Sequence, residues 1–172
     1  MVISNMLIRN MKVIGAVMEL LGFVFVDRSR RKSIVELLQP ATSMITKSKV
    51  NMSFFPEGKS SDGVDLLPFN APFFKIAIDS GSGVQPIAFR WTHANGQEVS
   101  KKQRITFTYL VKHGSIIKHL SDLLGLRKKR LVVKVLEPIS AEEIAENNWT
   151  RKEVSQRSED LIREALDDET SW

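Results

Sequence analysis

The stretch Val50-Asn51-Met52-Ser53-Phe54-Phe55-Pro56-Glu57-Gly58 decides how this chain is read. Val50 to Phe55 is a short apolar run rich in strand formers, the pattern of a buried strand. Pro56 stops it sharply, because a proline cannot donate to a sheet ladder. Glu57 and Gly58 are thereby delivered to the loop that follows. An acid at the mouth of a buried strand can bind a hydroxyl, orient a base or take a metal; equally, it can be the solvated side chain of a capped turn. Ligands of open α/β sheets gather at such strand ends.

Working upstream, Ser29 to Ser48 predicts a helix. Ser29 or Ser33 is available to cap it, Ile34, Leu37, Leu38, Met44 and Ile45 form its apolar side, and Pro40 is expected to break or kink it. Before it, Phe23-Val24-Phe25-Val26 reads as a strand that ends at Asp27-Arg28. Residues 6–21 repeat apolar side chains at spacings of three and four, as a helix or an extended entry followed by a helix, closed by Gly22. Strand, helix, strand is the opening of an α/β layer fold.

Downstream, residues 56–70 form a long loop, Phe73 to Asp79 a short helix with Pro72 at its start, and Val84 to Trp91 a strand with Pro86 near its entrance. Asn95-Gly96 is a hairpin-turn signal. Arg104 to Val111 alternates like a strand, Ser115 to Leu126 is an amphipathic helix, and Leu131 to Leu136 is a strand closed by Pro138. Ser140 with Glu143, and Thr150 with Glu153, are capping boxes; the second opens a helix over about residues 151–167. The expected architecture is α/β, a mixed sheet flanked by helices. Residues 1–140 form the domain, and 141–172 an acidic helical segment that packs on it or extends from it.

The chain has 172 residues and a formal net charge of +5, unevenly spread. Residues 137–172 carry a balance of −7 and residues 1–136 one of +12. A basic body favours anionic partners such as phosphate ligands, anionic lipid headgroups or nucleic acid. There is no cysteine, which excludes disulfides, thiolate catalysis and thiolate-bound metals. The longest apolar stretch, Val13 to Val26, is too short to span a bilayer and is interrupted by Glu19.

Three segments then give a more specific resemblance. Gly22 to Arg28 resembles the family block of a glycine, an apolar stretch with phenylalanine, and aspartate-arginine. Phe55-Pro56-Glu57-Gly58 resembles the phenylalanine-proline-glutamate-glycine block, and Val84-Gln85-Pro86-Ile87 the later valine-proline strand. In this order they are similar to the glycerolipid acyltransferases, the family of 1-acylglycerol-3-phosphate acyltransferases, over roughly residues 5–140. Leu67-Pro68-Phe69 matches that family's proline-phenylalanine pair, and Trp149 to Leu166 its closing helix.

The resemblance implies transfer of a fatty acyl group from a thioester donor, acyl-CoA or acyl carrier protein, to a lysolipid hydroxyl. It implies that Arg28 binds the acceptor's phosphate-bearing headgroup and Glu57 its hydroxyl-bearing backbone, with Phe55, Pro56 and Gly58 shaping the loop. No cofactor, metal or nucleic acid is implied; a peripheral position at the cytoplasmic face of the inner membrane is. Lys59-Ser60 stands where the family has threonine-arginine, a continuation closer to the branch that acylates lyso-ornithine lipids, and Lys59 places a cation nearby. Asn70 stands where a basic residue is usual.

Catalysis in the family rests on a histidine followed five positions later by an aspartate. Here His93, His113 and His119 are followed at that distance by Glu98, Lys118 and Leu124. No catalytic residue is therefore assigned, and the chain is expected to begin inside the domain. The alternative expectation is a non-catalytic anionic-lipid-binding or structural protein. The basic cluster Arg127-Lys128-Lys129-Arg130 is read as the turn between helix and strand, since no nucleic-acid recognition motif accompanies it.

Overall fold

The computed structural model describes residues 2–5, 20, 23–26, 31–59, 61–108 and 116–172. The expected helix over 6–21 therefore lies almost wholly outside the described residues, as do Gly22, Asp27, Arg28, Ser29 and His113. The chain divides into two compact units. The first comprises Met1–Gly58, Phe69–Val84 and Ile139–Arg157; the second comprises Lys59–Pro68, Gln85–Pro138 and Ser158–Trp172.

In the first unit, β1 (Val2–Asn5), β2 (Phe23–Val26) and β3 (Ser53–Phe54) make a parallel sheet in the order β2-β1-β3. The strand at Phe23–Val26 is as expected; β1 was not anticipated. Only Ser53 and Phe54 pair with it, opposite Val2 and Ile3, so β3 is shorter than the apolar run that contains it. Between β2 and β3 runs α1 (Arg31–Ser48), which continues through Pro40 rather than breaking there. An interior proline costs about 3 kcal/mol through its missing N–H and ring clash. Burial opposes that cost. Leu38 and Ala41, on either side of Pro40, form the core with Phe73 and Ile76, with Ile45, Met52 and Phe54 packed around it.

Ala71–Phe74 is a 3-10 turn leading into α2 (Lys75–Ser80), with proline in its first positions as the sequence indicated. Gly81, in the left-handed region at φ 62°, ends α2. Val84 and Ile139 then exchange two backbone hydrogen bonds of 2.8 and 2.9 Å. Gly83 permits this approach, because a Cβ there would stand 2.8 Å from the Ile139 carbonyl oxygen. The helix α4 (Ala141–Glu146) follows, capped as expected by the Ser140 hydroxyl accepting from the Glu143 N–H at 2.9 Å.

The sheet of the second unit is antiparallel, in the order β5-β4-β6, from β4 (Ile87–Ala94), β5 (Gln97–Glu98) and β6 (Arg130–Val135). The Asn95-Gly96 signal is realised. Both residues have positive φ, 53° and 79°, between the pairs Ala94↔Gln97 and His93↔Glu98. The expected strand from Arg104 is instead a 3-10 helix, Lys101–Phe107. A capping box decides it: the Ser100 N–H donates to the Gln103 side chain at 2.9 Å, a start signal that alternation alone concealed. Residues 109–111 of that expected strand lie outside the described ones.

The helix α3 (Ile116–Gly125) precedes β6. The helix α5 (Arg151–Asp167) has the bounds its sequence indicated. On the covered face of the antiparallel sheet, the Trp172 ring meets the Arg90 guanidinium, 4.5 Å from its centre, and the Lys134 ammonium at 4.1 Å.

Candidate functional site

Phe54 fixes where the strand ends. Its ring meets Phe73 at 5.6 Å and, edge-on, Phe74 at 5.2 Å, and both partners are buried. Such aromatic pairs contribute roughly 0.5–1.5 kcal/mol beyond the area they bury. Immediately after this anchor the chain turns. The Gly58 N–H donates to the Phe55 carbonyl at 3.2 Å, closing a four-residue turn with Pro56 and Glu57 at its centre. Proline at the second position and glycine at the fourth are the preferences of a type I turn. Gly58 has a φ of 75°, a conformation that disfavours any side chain.

Asn70 holds the turn from the far end of the loop. Its backbone N–H donates to the Pro56 carbonyl at 2.8 Å, and its side-chain amide donates to the carbonyls of Pro56 and Glu57, both at 3.1 Å. That engagement leaves the 3-10 turn after Asn70 without a side-chain cap. The position where the sequence showed a departure from the family's basic residue is thus a clamp on the Pro56-Glu57 backbone. Its partners stand 13 and 14 residues away, so no local pattern announces it.

Within the turn, Phe55 is exposed while Pro56, Glu57 and Gly58 are half-buried. Lys59 is exposed and begins the second unit's share of the loop. There, serine and aspartate make local turns: the Gly63 N–H donates to the Ser61 hydroxyl at 3.1 Å, and the Val64 N–H to the Asp62 carboxylate at 3.0 Å. The structure therefore brings Phe55, Pro56, Glu57 and Gly58 into one constrained turn. Arg28 lies outside the described residues.

Chemically, the clamped turn holds the backbone under a half-buried carboxylate. A carboxylate accepts hydrogen bonds from hydroxyls, and bonds to charged groups are stronger than neutral ones. Of the histidines, His93 lies on β4 in the second unit, where its Nδ1 is 3.1 Å from the Thr92 hydroxyl, and His119 is half-buried on α3. Among the described residues no group of three or more His, Cys, Asp or Glu side chains is arranged to hold a metal ion.

The family model described as Acyltransferase matches residues 1–90. The chain belongs to the Acyltransferase family. The match spans the parallel sheet, the clamped turn and the first half of β4. Among curated members of this family of acyltransferases, the 1-acyl-sn-glycerol-3-phosphate acyltransferase of Neisseria gonorrhoeae is 32% identical over 99 residues, covering 58% of this chain and 38% of that protein. The enzyme of the same name from Limnanthes alba is 28% identical over 101 residues, 57% of this chain and 36% of that one. The chain thus spans well under half the length of these relatives. The crystal structure of the 1-acyl-sn-glycerophosphate acyltransferase of Thermotoga maritima is similar in fold. It has a TM-score of 0.56 and 17% identity, with 99% of this chain and 57% of that one covered. The expected α/β fold of the glycerolipid acyltransferase type, a mixed sheet flanked by helices, is therefore the observed one in kind; its described strands form one parallel and one antiparallel sheet.

Proposed function

We propose that this chain carries the acceptor-binding part of an acyltransferase that moves a fatty acyl group from a thioester donor, acyl-CoA or acyl carrier protein, to the hydroxyl of a lysophospholipid or lyso-amino-acid lipid. The observation that supports it most is the turn Phe55–Gly58, anchored through Phe54 and clamped by Asn70, with Glu57 half-buried in it. In this reading the Glu57 carboxylate accepts a hydrogen bond from a hydroxyl of the acceptor backbone. Arg28 supplies a planar fork for the acceptor's phosphate or carboxylate, and Lys59 adds a cation to the loop. In the transfer itself the acceptor oxygen bonds to the thioester carbonyl carbon, the carbon–sulfur bond breaks, and the hydroxyl proton passes to a base. A positioned base contributes roughly 100- to 10,000-fold; none of the three histidines of this chain is followed by the family's aspartate.

That histidine spacing favours a second reading, in which the same turn binds lysolipid without turning it over. The basic balance of residues 1–136 suits either activity at an anionic membrane surface, where we place the protein peripherally.

Binding distinguishes the acceptor site from its absence. A panel of labelled lysolipids is titrated into the chain and into Glu57→Gln. The variant keeps the shape and loses the charge, and is expected to weaken acceptor binding about tenfold, the scale of one charge-assisted hydrogen bond. Equal binding by both proteins, or binding of no lysolipid by either, overturns the assignment of Glu57. Turnover of a bound acceptor with acyl-CoA or acyl carrier protein then separates the two readings.

A further inference from the structure

The cluster Arg127-Lys128-Lys129-Arg130 is more ordered than a solvated turn needs to be. The hairpin tip grips it by two reciprocal bonds: the Asn95 N–H donates to the Arg127 carbonyl at 2.6 Å, and the Arg127 N–H donates to the Asn95 side-chain oxygen at 2.8 Å. Lys128 is held in the left-handed region at φ 46°, a conformation unusual for a residue with a side chain. Its aliphatic stem passes over Gly96, 3.5 Å from where a Cβ would stand. An irregularity in the β4–β6 ladder between Trp91 and His93 makes His93, rather than Thr92, the cross-strand partner of Arg130. Bulges re-aim side chains in this way, and directly opposed residues share a face.

The result is an open cavity of about 330 Å³ lined by His93, Gly96, Lys128, Lys129 and Arg130. It lies wholly within the second unit. Lys129 is committed to the end of α3, donating to the Leu123 carbonyl at 2.8 Å, which the helix dipole favours. The ion pairs among the described residues leave Lys128 and Arg130 out. A loop that concentrates like charges around a concavity, at its own electrostatic cost, suits an anion.

We propose that this cavity binds a phosphate monoester. Arg130 offers the planar fork, Lys128 a mobile point charge, and the ring of His93 its Nε2 edge. At about ten times the ~30 Å³ share of one water, the cavity admits a phosphate together with part of the group it is esterified to. That phosphate can belong to a soluble nucleotide-like ligand or to a lipid headgroup. The proposal does not rest on the acyl-acceptor reading of Glu57, because binding here is measured without transfer.

Amide chemical shifts of the full chain are followed during titration with inorganic phosphate, and with chloride at matched ionic strength. Saturable shifts at His93, Gly96 and Lys128 with phosphate alone are expected. Lys128→Ala and Arg130→Ala should each weaken phosphate binding about tenfold without changing the melting temperature. Arg130→Lys should recover only part of it. The same variants are then tested with a nucleoside 3′,5′-bisphosphate and with phosphatidylcholine vesicles with and without phosphatidate. Tighter binding of the bisphosphate than of phosphate, with no vesicle capture, makes the ligand soluble. Capture by phosphatidate vesicles that the variants lose makes it a lipid headgroup. An equal response to chloride, or unchanged phosphate binding in both alanine variants, overturns the proposal. So does a fall in melting temperature with no phosphate effect, which would mean that Lys128 and Arg130 serve only the structure of the turn.

Discussion

At the scale of single residues, Asn70 shows how the start of a loop 15 positions long is held as one fixed turn. It donates three hydrogen bonds to two adjacent carbonyls, two of them from the same side-chain nitrogen. Asn70→Ala removes the side-chain donor and keeps the backbone one. It is expected to cost about 1 kcal/mol, the net worth of exposed side-chain hydrogen bonds, in chemical denaturation. Hydrogen exchange at Gly58 should quicken at the same time. Asn70→Asp should cost more, since a carboxylate cannot donate and would face two carbonyl oxygens. If Asn70→Ala leaves both stability and exchange untouched, the clamp is not what holds Glu57. Neither this role nor that of the ladder irregularity opposite Arg130 was legible beforehand. In each case the partner lies well beyond the three or four residues over which local patterns operate.

At the scale of elements, helix starts were the most legible features because their signals are local. Ser140 with Glu143 and Thr150 with Glu153 both cap the helices they precede. At α5 the Thr150 N–H donates to the Glu153 carboxylate at 2.6 Å, and this bond, from the backbone first, holds the Glu153 carboxyl below the usual glutamate pKa. A carboxyl lowered on folding adds stability above its unfolded pKa and loses it as pH falls through the folded value. The start of α5 should therefore be intact at neutral pH and begin to fray once the pH drops below the ordinary glutamate range. Amide spectra of Thr150 recorded from pH 7 to pH 3 read this directly, and Glu153→Gln should remove the transition while other carboxyls still titrate. A transition that survives the substitution would assign it elsewhere. Elements whose outcome rested on packing were misread instead. α1 runs through Pro40 because Leu38 and Ala41 are buried on either side of it. The 3-10 helix over Lys101–Phe107 is a different case, since its local Ser100–Gln103 cap stands just ahead of the alternating run from Arg104 and overrides it.

At the scale of the whole molecule, the turn that carries Glu57 depends on a small core. Phe73 is 2% exposed, packs with Leu38, Ala41 and Ile76, and meets the ring that ends β3 at a tilt of 38°. Phe73→Ala is expected to destabilise the protein by about 3–5 kcal/mol, a large share of the 5–15 kcal/mol typical of a domain. Its unfolding midpoint in urea should fall accordingly. Lysolipid binding at a temperature where the variant remains folded should also weaken, because Phe54 loses its support. A loss of stability below about 1 kcal/mol would show that the core tolerates collapse there and that the turn is held otherwise.

By itself the sequence determined the family, the order of strands and helices around Phe55–Gly58, the Asn95-Gly96 hairpin and the two capped helices. Each is written in side chains a few positions apart, or in the local chemistry of proline, glycine and a carboxylate. Only the tertiary structure decided that β1 lies between β2 and β3, that Asn70 closes the Phe55–Gly58 turn, and that Lys128 and Arg130 share a cavity with His93. Those features depend on which distant segments meet, and the burial and hydrogen bonding that bring them together leave no period or cap in the chain for a reader to find.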